Sequence, residues 1–286
     1  MASVTKARAR PFNVKRFLVL LLLYALLILF ALVAIGPFLW LLSTSLKSGQ
    51  NLLSYPPQLL PKPINFGSFV EVWNAQNMPR FLWNTFVITS WGVLANLVLA
   101  SMSGYALARI RFPGRDIIFF LIVSTLVLPT TLNIVVNYLT LVKLNLANTF
   151  TGVVLPNAIT VFNVFLIRQA FVSVPQELED AGRIDGANEF VLWWRIMLPL
   201  VRPALLTVKI LEFVAFWNIY QWPLIVLKDT DKFPLSVAIA RLTTGELALS
   251  FGNVAAATVI SIIPVILIFL VLQRYFIEGL AGSVKG

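Results

Sequence analysis

The sequence predicts an all-α integral membrane protein with six transmembrane helices. Of the 286 residues, 59% are hydrophobic and only 12% are charged, whereas a soluble domain carries about 25% charged residues. Six long stretches contain no charged residue at all. They lack the alternation of polar and apolar residues that is typical of a membrane-spanning strand, so each stretch is predicted to be helical.

Five of these stretches are long enough to cross a bilayer, for which a helix needs about 20 apolar residues. The remaining one, Phe213–Leu227, reaches that length only if the helix starts at Pro203 and includes Lys209 and Glu212. We expect these two charges, three residues apart, to form an ion pair near one end of the helix, with a gating role for Glu212 as the alternative. The predicted membrane domain covers 17–276, with helices at about 17–43, 81–108, 117–142, 146–168, 203–227 and 250–274.

The distribution of Lys and Arg predicts the orientation, because short cytoplasmic segments carry the excess of these residues. Basic residues concentrate in the first sixteen positions, in the 109–116 connection and between 168 and 202. Both tails, 1–16 and 277–286, are therefore predicted to be cytoplasmic, and the proline-rich segment 46–80 to be an external loop. Orientation explains the basic N-terminus better than nucleic-acid binding does, so no nucleic-acid partner is expected.

The chain contains no Cys and no His. That excludes disulfides, thiolate metal ligands and the commonest general base. The sequence also lacks a nucleophile–base constellation and a G-x-x-x-x-G-K-S/T phosphate loop. We therefore expect no catalytic residue and no metal site, and a membrane-embedded enzyme is not favoured.

Acidic residues concentrate between the fourth and fifth predicted helices, in residues 173–200, hereafter called the elbow. Five of the twelve acidic residues of the chain lie between 177 and 189. Ser173 and Gln176 fit a capping box, which predicts a short helix over about 174–184. Glu179 and Arg183 have the favourable i,i+4 spacing within that helix.

The second half of the elbow is aromatic. Asp185 is predicted to cap a second helix, and Gly186 is predicted to permit either a sharp turn before it or a close approach to a partner. The spacing i, i+3, i+4 and i+7 predicts one apolar face, made by Phe190, Trp193, Trp194 and Met197. The residues alone leave two interpretations open: the face lies in the lipid headgroup layer, or it docks on a soluble partner. The acidic residues favour a protein partner over anionic headgroups.

The spacing in "ELEDAGRIDGANEFVLWWRIMLPL" resembles the EAA loop of permease subunits from binding-protein-dependent ABC importers. Asp180-Ala181-Gly182 stands where that family has Glu-Ala-Ala, Asp185-Gly186-Ala187 matches its Asp-Gly-Ala, and Ile196, Leu198 and Pro199 match its Ile-x-Leu-Pro. Two departures are the shorter carboxylate of Asp180 and the replacement of Ala by Gly182, which lowers helix propensity by about 1 kcal/mol.

Three other segments are similar to the carbohydrate branch of that family: "STSLKS" at 43–48, "FWNIYQWPL" at 216–224 and the C-terminal "QRYFIEGLAGSVKG". The resemblance is greatest to the six-helix partner of the maltose and glycerol-3-phosphate permeases. It implies a type I ABC importer permease fold in the plasma membrane of a bacterium or archaeon, with the elbow as the coupling helix between helices 4 and 5.

The resemblance also implies partners. They are a second homologous permease subunit, two ATPase subunits that bind ATP and Mg, an external solute-binding protein that contacts the 228–252 segment, and a sugar-type substrate. This chain is expected to bind no cofactor itself. The residues implied to couple to the ATPase are Glu179, Asp180, Ala181, Arg183, Asp185, Gly186, Ala187, Phe190 and Pro199.

Polar residues inside the predicted helices are candidates for the substrate pathway. Polar groups at this depth usually face the bundle interior, and aromatic rings combined with amides suit a sugar. The candidates are Asn218, Tyr220, Gln221, Trp222, Asn133 and Asn137. The alternative for these residues is packing through interhelical hydrogen bonds.

For the whole chain, the alternative function is an ion-gradient-driven secondary transporter of small polar solutes. Such a transporter is expected to carry ionisable groups at mid-membrane and internal repeats. Neither feature is evident in the sequence.

Overall fold

The computed structural model describes residues 14–47, 59–75, 77–243 and 251–283. Within these ranges every regular element is helical. The α-helices are α1 (Val14–Ser45), α2 (Gly67–Ala75), α3 (Met78–Arg109), α4 (Arg115–Ser124), α5 (Ile134–Lys143), α6 (Phe150–Val154), α7 (Val161–Val172), α8 (Gln176–Ile184), α9 (Glu189–Val191), α10 (Leu198–Leu200), α11 (Arg202–Trp217), α12 (Gln221–Val226), α13 (Leu235–Thr243) and α14 (Phe251–Ser283). Residues 1–13 of the predicted N-terminal tail, 48–58 and 76 of the predicted external loop, 244–250, and 284–286 of the predicted C-terminal tail lie outside the described residues. Residues 277–283 of that tail belong to α14.

Three helices are long and apolar enough to cross a membrane: Phe17–Ser45 within α1, Met78–Arg109 and Phe251–Val271 within α14. Two bent pairs would each add one span: Arg115–Val127 with Thr131–Lys143, bent by 91°, and Phe150–Asn157 with Val161–Val172, bent by 52°. The described part of the chain therefore has three to five candidate spans, where six helices were predicted.

Proline accounts for the breaks inside the predicted helices, because it has no N–H to donate and its ring clashes with the preceding turn. Pro129 and Pro156 lie within the two bent pairs. The helix predicted over 203–227 is likewise divided into α11 and α12, with Pro223 in the first turn of α12. The α11 helix has 16 residues and includes Lys209 and Glu212, and it is not among the candidate spans.

The segment predicted to be an extended external loop contains the helix α2. The prolines between 56 and 63 argue against a helix only at those positions, and α2 begins after them, at Gly67. The α2 helix packs against α3 and α14.

Helix α3 lies at the centre of the bundle and packs against α7 and α11, while α1 packs on α14. Close contact between α3 and α11 depends on Gly92, where a Cβ would lie 2.4 Å from the Phe216 ring. One buried cluster lies at the Arg109 end of α3 and includes Tyr105, Phe171 and residues of the elbow. The elbow is therefore part of the packed core.

The opposite end of the bundle is fixed by amide side chains. Asn84 Nδ2 donates to the carbonyl oxygens of Asp231 and Phe233, at 2.8 and 3.0 Å. Asn148 Nδ2 donates to Asp229 Oδ2 at 2.8 Å, and Asp229 also pairs with Lys232 at 2.8 Å. The 228–233 connection is thereby held against α3 and the 144–149 turn.

Candidate functional site

The first helix of the elbow, α8, ends in a turn built on Gly186. This residue has a φ of +82°, a left-handed conformation that favours glycine. Its N–H bonds to Arg183 O and the N–H of Ala187 bonds to Gly182 O, both at 3.0 Å, which is the Schellman pattern of helix endings. The predicted turn at Gly186 is confirmed, and Asp185-Gly186-Ala187 forms the end of α8.

Both predicted caps in the elbow are wrong. Ser173 Oγ donates to Ala170 O at 2.8 Å, and α8 begins only at Gln176. Asp185 is the C-terminal cap of α8. Asn188 caps the second helix instead, because its Oδ1 accepts the N–H of Val191 at 2.9 Å. The Schellman turn uses residues 185–187, so the second helix starts three residues later than predicted from Asp185.

A π-helical turn, Leu192–Met197, divides the predicted aromatic face. Hydrogen bonds from i to i+5 widen a π turn, so the i, i+3, i+4 and i+7 positions no longer share one side. Trp193 and Met197 are buried, whereas Phe190 and Trp194 are 62% and 57% exposed. The prediction of a single apolar face is therefore wrong, and the elbow presents two aromatic side chains on its surface.

Gly182 brings the two helices of the elbow together. A Cβ at this position would lie 2.6 Å from Ile196 Cδ1 and 2.8 Å from Leu192 Cδ2. An alanine would therefore require both side chains to move. The lower helix propensity of Gly182 is offset by the close packing of α8 on the π-helical turn.

A buried ion pair attaches α8 to the end of α3. Glu179 is only 2% exposed, and its carboxylate lies 2.5 Å from Arg183 Nη2 and 3.6 Å from Arg109 Nε. Arg109 Nη2 also donates to Phe171 O at 2.5 Å and to Val174 O. The predicted pair of Glu179 with Arg183 is confirmed. The contribution of Arg109 could not be predicted from local spacing, because Arg109 lies 70 residues before Glu179 in the chain.

A second carboxylate continues this network. Glu189 Oε1 pairs with Arg183 Nη2 at 2.9 Å, and Glu189 Oε2 accepts the Tyr105 hydroxyl at 2.7 Å. Burial alone would raise the pKa of Glu189, but the hydrogen bonds from Tyr105 and Arg183 lower it below its ordinary value. We call these residues the clamp: Tyr105, Arg109, Glu179, Arg183 and Glu189. The clamp joins both helices of the elbow to α3.

The other predicted coupling residues lie around the clamp. Asp180 is about half exposed and lies 3.6 Å from Arg183 Nη1. Ala187 is half-buried beside the core of the elbow. The remaining ones are exposed: Ala181, Asp185, Gly186 and Pro199.

Five of the six predicted pathway residues line one cavity of about 370 Å³. They are Asn133, Asn137, Tyr220, Gln221 and Trp222, joined by Asn157 and others. The exception is Asn218, which is exposed and donates its amide to Val214 O of its own helix at 2.9 Å.

Trp222 connects this cavity to the bent helix beside it. Its Nε1 donates to Gly152 O at 3.2 Å. An ordinary helix would satisfy that carbonyl with the N–H of residue 156, but residue 156 is proline. The indole therefore supplies the donor that Pro156 lacks.

A second cavity of about 570 Å³ adjoins the first and shares with it Asn133, Pro156, Asn157 and Ile219. Glu212 lines this second cavity and is 6% exposed. The expected ion pair with Lys209 is wrong: Glu212 Oε1 accepts from Thr160 at 2.9 Å and from Asn163 at 2.5 Å, while Lys209 is exposed. Lys209 lies on the exposed side of α11, although its i,i+3 spacing would have allowed contact with Glu212.

The described residues contain no group of three or more acidic side chains that could hold a metal ion.

Comparison with known proteins gives a consistent result. The family described as "Binding-protein-dependent transport system inner membrane component" matches residues 96–281. The arabinooligosaccharides transport system permease protein AraQ of Halalkalibacterium halodurans is 34% identical, covering 90% of this chain and 93% of the relative. The diacetylchitobiose uptake system permease protein NgcG of Streptomyces coelicolor is 32% identical, covering 98% and 91%.

A third relative is the sn-glycerol-3-phosphate transport system permease protein UgpE of Yersinia pestis. It is 31% identical over 93% of this chain and 95% of the relative. Among solved structures, a bacterial ABC transporter involved in the import of the acidic polysaccharide alginate matches with a TM-score of 0.82. That match has 30% identity and covers 95% of this chain and 100% of the other.

Proposed function

The chain belongs to the family of binding-protein-dependent transport system inner membrane components, and from that premise we propose how it works. It is the permease subunit of an ATP-driven sugar importer in the plasma membrane of a bacterium or archaeon. This proposal is supported by relatives that are more than 30% identical and span nearly the whole chain. Each of them is a transport permease by name. ATP hydrolysis belongs to separate subunits.

The proposed arrangement in the membrane has six spans. Three are single helices and two are the bent pairs, and α11 with α12 forms the sixth as a broken span. The basic residues before residue 17, in the 109–116 connection and in the elbow support a cytoplasmic location for both termini and the elbow. Broken helices are acceptable at this depth where they line a cavity, as α12 does.

The elbow is the coupling helix. Phe190 and Trp194 are exposed on it, together with Ile184 at 86% exposure. Exposed aromatic residues beside a charged rim are typical of a protein–protein contact. We infer that this surface enters a cleft of the ATPase, which holds ATP and Mg, while the clamp passes the movement of the ATPase to α3.

The pathway is formed with a second homologous permease, and an external binding protein delivers the solute. Two ATPase subunits complete the importer. The cavity beside α12 supplies this chain's contribution, because its amides and the Tyr220 and Trp222 rings can contact hydroxyls and sugar faces.

A surface variant tests the coupling role without disturbing the core. Phe190→Ser together with Trp194→Ser should reduce co-purification of the ATPase, and ATP-dependent uptake, by at least about tenfold, since interface aromatics often contribute 2 kcal/mol or more. Trp83→Ser with Phe86→Ser is the matched control, because Trp83 and Phe86 are a similarly exposed aromatic pair on α3. Unchanged ATPase binding in the elbow variant would contradict the proposal.

A further inference from the structure

Glu212 belongs to a closed ring of hydrogen bonds near the middle of the bundle. Besides accepting from Thr160 and Asn163, it is connected through Asn96. Asn163 Nδ2 donates to Asn96 Oδ1 at 2.9 Å, and Asn96 Nδ2 donates to Thr160 Oγ1 at 2.9 Å. We call these four residues the Glu212 cluster. It joins α3, α7 and α11, and Asn96 lies near the midpoint of α3.

The ring leaves one carboxylate oxygen for a ligand. Thr160 and Asn163 both donate to Oε1, and among the described residues Oε2 has no hydrogen-bond partner. Oε2 is not one of the fully buried unpaired atoms, so it is accessible. Since Glu212 and Thr160 both line the 570 Å³ cavity, Oε2 is the oxygen that a solute in the cavity can reach.

The charge of the two adjoining cavities is unbalanced. Among the described residues that line them, Glu212 is the only acidic one, and no Lys or Arg is present. Their other polar groups are amides and hydroxyls, including Asn133, Asn157 and Thr160. A phosphate or uronate group would meet no countercharge on this side of the pathway, and a carboxylate at short range would repel it.

We propose that Glu212 is a solute-binding residue that accepts a hydrogen bond from a sugar hydroxyl and excludes anionic sugars. This inference rests on the proposed import function and narrows its substrate class to uncharged sugars. Hydrogen bonds to an ionised acceptor are about twice as strong as neutral ones. One carboxylate therefore provides both affinity for a hydroxyl and discrimination against an acid. The names of the relatives include both uncharged and anionic solutes. Arabinooligosaccharides and diacetylchitobiose are uncharged, and glycerol-3-phosphate is anionic.

Because the chain contains no cysteine, a single introduced cysteine can be labelled selectively. Its reaction rates with charged reagents then report the charge of the cavity. Ala215 lines the same cavity, and three residues along a helix place its Cβ about 5–6 Å from that of Glu212. In membranes that contain the assembled importer, Ala215→Cys is treated with a trimethylammonium-ethyl or a sulfonatoethyl methanethiosulfonate. Each rate is divided by the rate of the same reagent with 2-mercaptoethanol.

The carboxylate should make the normalised rate of the cationic reagent at least about fivefold higher than that of the anionic one. Glu212→Gln should remove the preference, and Glu71→Gln, on the exposed surface of α2, should keep it. Equal rates in the Ala215→Cys chain, or a preference that survives Glu212→Gln, would overturn the proposal. The first comparison needs no Glu212 variant, so it decides even where Glu212→Gln fails to assemble.

Uptake by the reconstituted importer tests the substrate class. Arabinotriose should enter at least about tenfold faster than sn-glycerol-3-phosphate or an alginate trisaccharide. Glu212→Gln should slow arabinotriose uptake about tenfold while ATP hydrolysis stays stimulated by the binding protein. Preferred uptake of the acidic sugars would overturn the role of Glu212 and leave the import function standing. Absence of ATP-dependent uptake of every sugar would contradict the import function instead, and the labelling rates would still decide whether Glu212 is charged.

Discussion

At the scale of single residues, Glu179 is the most constrained charge in the elbow. A carboxylate that is 2% exposed needs compensating charge, because desolvation opposes its ionised form. Arg109 comes from α3 and Arg183 from α8. Arg183 hydrogen-bonds to the Glu179 carboxylate and Arg109 compensates its charge at 3.6 Å, so the position of the elbow and the burial of Glu179 depend on each other.

Glu179→Ala should lower the free energy of unfolding by about 3 kcal/mol, since it leaves two arginines without their buried partner. Glu177→Ala, in the same helical turn but exposed, should change it by less than about 0.5 kcal/mol. Thermal or denaturant unfolding of the purified chain in detergent measures both. Equal effects of the two variants would show that the clamp does not hold the elbow.

Acidification should weaken the clamp through Glu189. Its pKa lies below the ordinary value of 4.5 in the folded chain, so Glu189 stabilises the fold at pH values above 4.5. That contribution is lost as the pH falls through the lowered pKa, because the unfolded state then binds the proton first. Glu189→Gln should therefore lower the unfolding temperature at pH 7 and have no effect well below pH 4.5. A difference that grows on acidification would contradict this assignment.

At the scale of elements, the hydrogen bond from Trp222 to Gly152 replaces one that Pro156 removes from its helix. Trp222→Phe should destabilise the chain by about 1–2 kcal/mol, because it leaves a buried carbonyl unpaired. The same change in a Pro156→Ala background should cost less, since residue 156 can then donate to Gly152. A double-mutant cycle of unfolding free energies measures the difference. Purely additive effects would show that the indole has no compensating role.

Local sequence signals predicted some elements well. The left-handed turn followed from Gly186, and the pairing of Glu179 with Arg183 followed from their spacing. The cap at Asn188 and the π-helical turn were missed. The cap follows from the Schellman turn at 185–187, which delays the second helix. The π-helical turn lies where Gly182 lets Leu192 and Ile196 approach α8 closely, and no periodicity in the sequence reports that distance.

At the scale of the whole molecule, the long uncharged stretches predicted an all-helical membrane fold. The breaks within them, from Pro129, Pro156 and Pro223, were weaker signals, because a proline in a membrane helix can either bend or interrupt it. The cavity residues of α12 could be predicted from the sequence, because they are polar residues within a predicted membrane helix. The hydrogen-bond partners of Glu212 could not be predicted, because Asn96 and Asn163 approach it only after three helices have packed.

One end of the bundle and its middle have different proposed roles, and α3 reaches both. At one end the clamp fastens the elbow, the proposed ATPase contact, to α3. Near the middle of the same helix, Asn96 belongs to the cluster that positions Glu212 in the cavity. Helix α3 therefore contacts both the elbow and the Glu212 cluster, and we propose that it passes movement at the elbow to the solute site.

We propose that this chain imports sugar only when an ATPase drives it. The most direct measurement is sugar uptake into proteoliposomes that contain the chain, its partner permease and the ATPases, with the binding protein outside. We predict uptake that requires both internal ATP and the binding protein, and that is unaffected by collapsing proton and sodium gradients. Uptake that follows an ion gradient in the absence of the ATPases would contradict the account.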